Sequence, residues 1–213
     1  AASCVCSACS LSIPFAPGLN GQTNTYQMFS IPYELANKDI GNLFDVALNG
    51  YDNTKWRLFH YDNNSYKEYP NQFRQINVGD GYWFNTISKD FQITLGDATV
   101  AQKNQEEPFI KQLSAGWNQI GNPYPFNISW DAVLGSEERV GSLQFFAKGG
   151  YTSNDVFKPW TGAFVHADES LTLAIPVTAK TNASGRIEKE FGSDFDSEQW
   201  LLPITLFADD PGA

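Results

Sequence analysis

Apolar and polar residues alternate along several short stretches of the chain, and turn-forming residues separate these stretches. The stretch 26–31 alternates in this way and ends at Pro32, and the stretch 117–122 ends likewise at Pro123. Alternation with a period of two is typical of β-strands, and proline cannot continue a central ladder. Many short strands separated by turns predict an all-β fold.

The same series of segments occurs twice along the chain. Each copy contains a strand that ends at proline, a short helical turn, a hairpin, a strand that begins with glycine and aromatic residues, and a closing strand. Pro32 aligns with Pro123 and Tyr66 with Tyr151, and the offset falls steadily along the chain. Deletions in loops explain this fall, because loops tolerate length changes better than strands do. The sequence predicts a β-sandwich built from two related antiparallel units.

The helical turn of each unit has its own signals. In the second unit Ser129 is a good N-cap residue and Asp131 lies in the first turn after it. In the first unit Ile40, Leu43 and Phe44 share one helical face. We therefore expect one short helical turn in each unit.

The repeat also sets the expected boundaries along the chain. Residues 25–100 form the first unit and residues 101–185 the second. Residues 1–24 are interpreted as a cysteine-containing linker or first strand, and residues 186–213 as an acidic loop and a final strand that connects to a following region. A unit of about eighty residues buries only a modest core, so we expect the two units to pack closely together.

Composition and charge narrow the class of protein. The chain has 213 residues, of which 42% are apolar, and this content is typical of a globular protein. No apolar run approaches the ~20 residues that a membrane-spanning helix needs. The net charge is −10, and the 14 lysine and arginine residues form no cluster, so phosphate backbones should be repelled. We expect no nucleic-acid partner and no membrane span.

All three cysteines, Cys4, Cys6 and Cys9, lie in one short segment near the N-terminus. Such a group is consistent with a local disulfide, a thiol kept for a partner, or a metal clip. A metal clip is the least favoured of the three, because a closed zinc site needs a fourth ligand and no histidine lies nearby.

The second unit contains a Gly-Trp-Asn strand, a Gly-Asn-Pro-Tyr-Pro segment, a tryptophan-containing turn and a Gly-Ala-Phe-Val strand. The residues concerned are Gly116, Trp117, Asn118, Gly121, Asn122, Pro123, Tyr124, Pro125, Trp130, Gly162, Ala163, Phe164 and Val165. This pattern resembles a module of large secreted and surface proteins of Bacteroidetes-type bacteria, often found upstream of a sorting domain for type IX secretion. Ala163 stands where that pattern has phenylalanine.

The resemblance implies an extracellular or cell-surface location and an accessory role within a longer polypeptide. It covers most of residues 25–180. No sorting domain is visible before Ala213, so we expect either a fragment or another export route.

Aromatic residues beside polar turns are the candidate binding residues. Such rings suit sugars, because the apolar faces of a sugar stack on them while its hydroxyls find amide and carboxylate partners. The candidates are Tyr51, Tyr61, Asp62, Tyr66, Tyr69 and Trp160. The alternative is a sandwich edge with ordinary tyrosines. The aromatic residues at matching places in both units are expected to pack in the core: Trp83, Phe84, Trp117, Trp130 and Phe164.

Motifs for catalysis are not found in the sequence. No Gly-x-Ser-x-Gly elbow accompanies His60 or His166, which we interpret as satisfied strand residues. The carboxyl pair Asp168 and Glu169 is interpreted as part of a solvated turn, as is the pair Asp194 and Asp196.

Calcium is the one candidate cofactor, and no other is expected. Asp194, Asp196 and Glu198 offer hard oxygen ligands within a short loop, although the twelve-residue calcium loop is not matched. Asp209 and Asp210 offer a second, smaller group.

Together these observations predict a non-catalytic extracellular module for adhesion or glycan binding. Its expected partners are a glycan or neighbouring domains of a surface protein. A structural spacer, or a building block of a surface assembly that self-associates through its termini, is the alternative. An enzyme acting on glycosides through a hidden carboxylate pair is the third reading, because the ~5 to 9.5 Å separation of such a pair is a tertiary property.

Overall fold

The computed structural model describes residues 10–12, 26–62, 64–88, 91–101, 107–147 and 149–177. One compact unit covers Ala1–Lys180, and the described residues all belong to it. The cysteines, the proposed connector 186–213 and the candidate calcium ligands Asp194, Asp196 and Glu198 lie outside the described residues.

The described residues form sixteen strands and two short helical turns. The strands of the first half are β1 (Ser10–Ser12), β2 (Gln27–Phe29), β3 (Glu34–Leu35), β4 (Trp56–Asp62), β5 (Ser65–Glu68), β6 (Tyr82–Thr86), β7 (Gln92–Thr94) and β8 (Ala98–Thr99). The strands of the second half are β9 (Phe109–Leu113), β10 (Gly116–Gly121), β11 (Ile128–Ser129), β12 (Gln144–Ala147), β13 (Gly150–Ser153), β14 (Val156–Phe157), β15 (Gly162–Ala167) and β16 (Leu171–Ile175).

Among the described residues all strand pairs are antiparallel, and each half contains one four-stranded sheet. The orders are β2-β6-β4-β5 in the first half and β10-β15-β12-β13 in the second. Two-stranded sheets complete the structure: β1-β7 and β3-β8 in the first half, β9-β16 and β11-β14 in the second. The predicted all-β fold is confirmed.

The helical turns lie where the sequence predicts them. In the first half a π-helical turn at Gly41–Asp45 leads into α1 (Val46–Leu48), and the second half has α2 (Trp130–Leu134). Ser129 caps α2, because its side chain accepts a hydrogen bond from the Ala132 N–H at 3.3 Å. Each turn packs a large ring into the core of its own half.

Each half has its own hydrophobic core. In the first half Phe44 stacks on Trp56 with 5.8 Å between ring centroids, and Trp56 is held by its indole N–H, which donates to the Gly50 carbonyl at 3.0 Å. In the second half Trp130 contacts Phe157 at 6.1 Å and donates its indole N–H to the Gly141 carbonyl at 3.0 Å. A buried Trp with a satisfied N–H anchors each core.

The two four-stranded sheets correspond strand for strand. β2, β4, β5 and β6 occupy the places that β10, β12, β13 and β15 occupy in the second half, and β1-β7 corresponds to β9-β16. The small sheets β3-β8 and β11-β14 have no such correspondence in their strand order. The origin of the two halves by duplication stays a prediction.

The halves meet through their backbones. The Gly121 N–H donates to the Gly79 carbonyl at 3.0 Å, the Ser30 N–H donates to the Trp160 carbonyl at 3.1 Å, and Asp80 bridges to Ile120. A methyl group added at Gly121 would lie 2.4 Å from the Asp80 carbonyl oxygen. The close approach of the two backbone segments therefore depends on the missing side chain at this position.

Candidate ligand-binding site

The four-stranded sheets each turn one face to their own core, and their other faces carry a second set of aromatic rings. On β4, Trp56 and Leu58 are fully buried in the core, so Phe59 and Tyr61 lie on the opposite face. On β10, Ile120 faces the core and Trp117 lies on the opposite face. The rings on these second faces approach one another across the junction of the two halves.

The first pocket at this junction, pocket A, has a volume of about 570 Å³. Its lining residues come from both halves: Tyr61, Tyr66, Trp117, Gln144, Tyr151 and Phe164. Phe164 forms its floor, because its ring lies 5.4 Å from Tyr61 and 6.4 Å from Trp117 while it is itself buried.

The second pocket, pocket B, has a volume of about 470 Å³ and is lined by Tyr26, Phe59, Tyr66, Trp83, Phe146 and Tyr151. Trp83 is its buried floor, at 4.9 Å from Phe146 and 6.4 Å from Tyr26. Tyr66 and Tyr151 line both pockets, so pockets A and B form one continuous aromatic groove.

The rings most open to solvent are those best placed to touch a ligand. Tyr66 is 52% exposed, Tyr151 51% and Trp117 46%. Partial burial raises the pKa of the Tyr66 and Tyr151 phenols above their usual value. Both phenols therefore stay protonated at neutral pH and can donate as well as accept hydrogen bonds.

A polar cleft of about 350 Å³ adjoins pocket A, and Tyr61 and Trp117 line both. The amide side chains in its walls are Asn64, Gln75, Asn77, Gln112, Asn118 and Gln119. Gln119 joins the halves, because its Oε1 accepts a hydrogen bond from the Tyr61 backbone N–H at 2.8 Å. Amide groups can both donate and accept, which is what a ligand rich in hydroxyl groups requires.

Charge is scarce in this region. Among the residues that the structure describes, none of those lining pocket A or pocket B is charged. In the polar cleft Lys111 forms an ion pair with Asp80, and Asp62 lies at the exposed end of β4. The aromatic groove therefore suits an uncharged ligand.

Of the predicted binding residues, Tyr61 and Tyr66 line the aromatic groove and Asp62 lines the adjoining cleft. Tyr51 and Tyr69 lie elsewhere: both pack against Trp56, at 5.0 Å and 5.5 Å. Tyr69 is only 4% exposed, so the expectation of an exposed ring there is wrong.

Trp160 also lies apart from the groove. It has a positive φ of 64° and packs its ring 5.7 Å from Tyr33, against the core of the first half. It therefore contributes to the contact between the halves.

Trp117 was expected in the core and instead lies half-exposed in the groove. The alternation along β10 indicates this position. Trp117 is an odd number of positions from the core residue Ile120, so the two side chains lie on opposite faces of the sheet. The same reasoning applies to Tyr26, three positions before Phe29.

The other titratable candidates have local partners. The His60 Nδ1 lies 2.9 Å from the Gly81 carbonyl oxygen, and the His166 Nδ1 lies 3.4 Å from Asp168. Glu169 pairs with Arg139 at 2.5 Å. Within the described parts of the chain, no three His, Cys, Asp or Glu residues are grouped as a metal site.

A scan against protein-family models, a search of curated proteins and a search of solved structures each find no match to this chain. No helix among the described residues is both long and apolar enough to cross a membrane.

Proposed function

We propose that this protein is a non-catalytic glycan-binding module of a secreted or cell-surface protein. The observation that carries the proposal is the aromatic groove, in which Tyr66, Tyr151 and Trp117 are each about half-exposed. The resemblance of the second unit to surface modules of Bacteroidetes-type bacteria supports the location.

The groove offers the two kinds of contact that a sugar needs. Half-exposed rings present flat apolar faces on which the C–H faces of a pyranose can stack. The polar cleft beside Trp117 supplies amide groups for the hydroxyls at the sugar edge. An apolar ligand would use the rings alone and would gain nothing from the amide groups of the cleft.

Charge narrows the class of glycan. The groove has no charged lining residue among those described, and the chain as a whole carries a net charge of −10. Acidic polysaccharides would be repelled over long range, and Arg57, which lies 4.7 Å over the Phe59 ring of pocket B, is already paired with Glu68. The ligand class is therefore a neutral polysaccharide.

The test is binding to immobilised neutral polysaccharides such as cellulose, xylan and mannan, with polygalacturonate as the acidic comparison. We expect one neutral polysaccharide to bind and Trp117→Ala to weaken that binding about tenfold. This figure follows from covering ~60 Å² of the indole at ~25 cal/mol per Å², or ~1.5 kcal/mol.

Ile110→Ala is the matched control, because Ile110 is 51% exposed and lies on β9 outside both pockets. It should bind like the unaltered protein. If no neutral polysaccharide binds, the proposal is overturned, and concentration-dependent polymers would then favour a structural building block.

A further inference from the structure

Pockets A and B have equivalent lining residues, and the register of the two sheets shows this. Trp83, the floor of pocket B, pairs with Met28 on one side and Phe59 on the other. Phe164, the floor of pocket A, pairs with Gln119 and Gln144. Trp83 therefore corresponds to Phe164, and Phe59 to Gln144.

The hairpins correspond in the same way. Tyr61 pairs with Tyr66 across the first hairpin, and Phe146 pairs with Tyr151 across the second. The ring centroids in these pairs are 5.0 and 5.3 Å apart, with interplanar angles of 64° and 67°. Hence Tyr61 corresponds to Phe146, and Tyr66 to Tyr151.

The first strand of each sheet completes the set. Tyr26 lies two positions before Met28, and Trp117 two positions before Gln119. Each contacts the floor ring of its own pocket at 6.4 Å and nearly at right angles, 86° for Tyr26 and 88° for Trp117. All six lining positions of one pocket thus have a counterpart in the other.

We propose that pockets A and B are two subsites of a single site that binds one glycan chain across the ridge formed by Tyr66 and Tyr151. This inference rests on the proposed function. Because both tyrosines belong to both pockets, a sugar in one pocket and a sugar in the other share the same two rings. Successive units of one glycan can occupy both pockets for a single loss of translational and rotational freedom, whereas two separate ligands would each lose theirs.

The subsites differ at four of the six corresponding positions, and at two of these four a polar side chain of pocket A stands where pocket B has a phenylalanine. Pocket A has the Tyr61 hydroxyl and the Gln144 amide where pocket B has the apolar rings of Phe146 and Phe59. Hydrogen-bonding groups discriminate between sugars, because an unmatched buried polar group is costly, while a ring face accepts any sugar with a flat apolar side. Pocket A therefore selects the sugar, and pocket B adds affinity for longer chains.

The experiment is titration calorimetry of the whole 213-residue protein with cello-, xylo- and manno-oligosaccharides, each from disaccharide to hexasaccharide. We expect a stoichiometry of one at every length and an affinity that rises with length. Trp117→Ala should weaken binding of all lengths about tenfold. Tyr26→Ala should weaken only the long chains, by a similar factor, and leave the shortest bound fragment unaffected.

Tyr26→Trp gives pocket B the indole ring that Trp117 supplies in pocket A. This variant should tighten the binding of long oligosaccharides only. This variant keeps the test decisive if Tyr26→Ala is poorly folded. Two hexasaccharides bound per protein molecule would overturn the shared site. Equal binding of long oligosaccharides by the unaltered protein and by both Tyr26 variants would overturn it as well. In both cases the glycan-binding function stands. Failure of every oligosaccharide and polysaccharide to bind would overturn the function itself.

Discussion

Replacing Gly121 by alanine tests how the two halves are held together. The new Cβ would lie 2.4 Å from the Asp80 carbonyl oxygen and 2.4 Å from the Ser30 Cβ. Carbon atoms in contact are normally about 3.5 to 4.0 Å apart, so the overlap exceeds ~1 Å. One of the obstructing atoms is backbone, and no rotamer change can relieve that contact.

The size of the effect follows from these contacts. Gly121 has no positive φ, so alanine can adopt its backbone conformation, and the loss of unfolded-state entropy should stabilise the variant by about 0.4–1 kcal/mol. Overpacking typically costs about 1–3 kcal/mol, and we take the upper end because a backbone atom obstructs the new methyl group. The net loss is therefore ~2–3 kcal/mol, or about 4–12 °C in the midpoint of thermal unfolding for a chain of this size.

Gly150→Ala is the matched control, because nothing lies within 4 Å of a Cβ added there and its φ is not positive. Thermal and urea unfolding followed by circular dichroism should separate the two variants. If Gly121→Ala and Gly150→Ala unfold at the same temperature, the backbone contact between the halves does not contribute as argued.

Two further substitutions test the cores of the halves. Asn122→Ala removes a buried amide whose Nδ2 donates to the carbonyls of Phe126 at 2.9 Å and Phe157 at 2.7 Å and whose Oδ1 accepts from Tyr124 N at 2.9 Å. Leaving these three groups unpaired should lower the free energy of unfolding, measured in urea, by about 3 kcal/mol. The exposed control Asn154→Ala should lower it by less than about 1 kcal/mol. Equal losses in the two variants would contradict the buried network. Burial and then the nearby Asp45 carboxylate raise the pKa of Tyr69 to about 12 from its usual 10.0, so the folded state keeps a proton that the unfolded state loses. Stability should be complete below pH 10 and decline as the pH rises towards 12, by on the order of 3 kcal/mol from this group. Tyr69→Phe should make that decline shallower, and an unchanged slope would refute the assignment.

The strands and turns could be predicted because their signals are local. Alternation, the prolines at 32 and 123 and the cap at Ser129 all act within a few residues, and the structure places β2, β10 and α2 beside them. β9 was not predicted. Its backbone is held in the sheet by pairing with β16, some sixty residues away in the chain, and no local pattern reveals that partner.

The groove could be predicted only in part, because both faces of the four-stranded sheets are aromatic. On β6 all five residues are buried, with Trp83 facing the other half and Phe84 the core. Hydrophobicity alone does not distinguish two such faces. The polar neighbours of Tyr69 suggest exposure, yet its ring packs onto Trp56 and is buried. Tyr51 is partly exposed but also packs against Trp56, away from the groove.

The arrangement of the rings makes the binding site depend on the junction between the halves. The floor of pocket A, Phe164, belongs to the second half and contacts Tyr61 of the first, and the floor of pocket B, Trp83, belongs to the first and contacts Phe146 of the second. Neither pocket exists in one half alone. A substitution that loosens the junction, such as Gly121→Ala, should therefore weaken glycan binding even though Gly121 lines neither pocket, and long chains that use both pockets should lose more affinity than short ones.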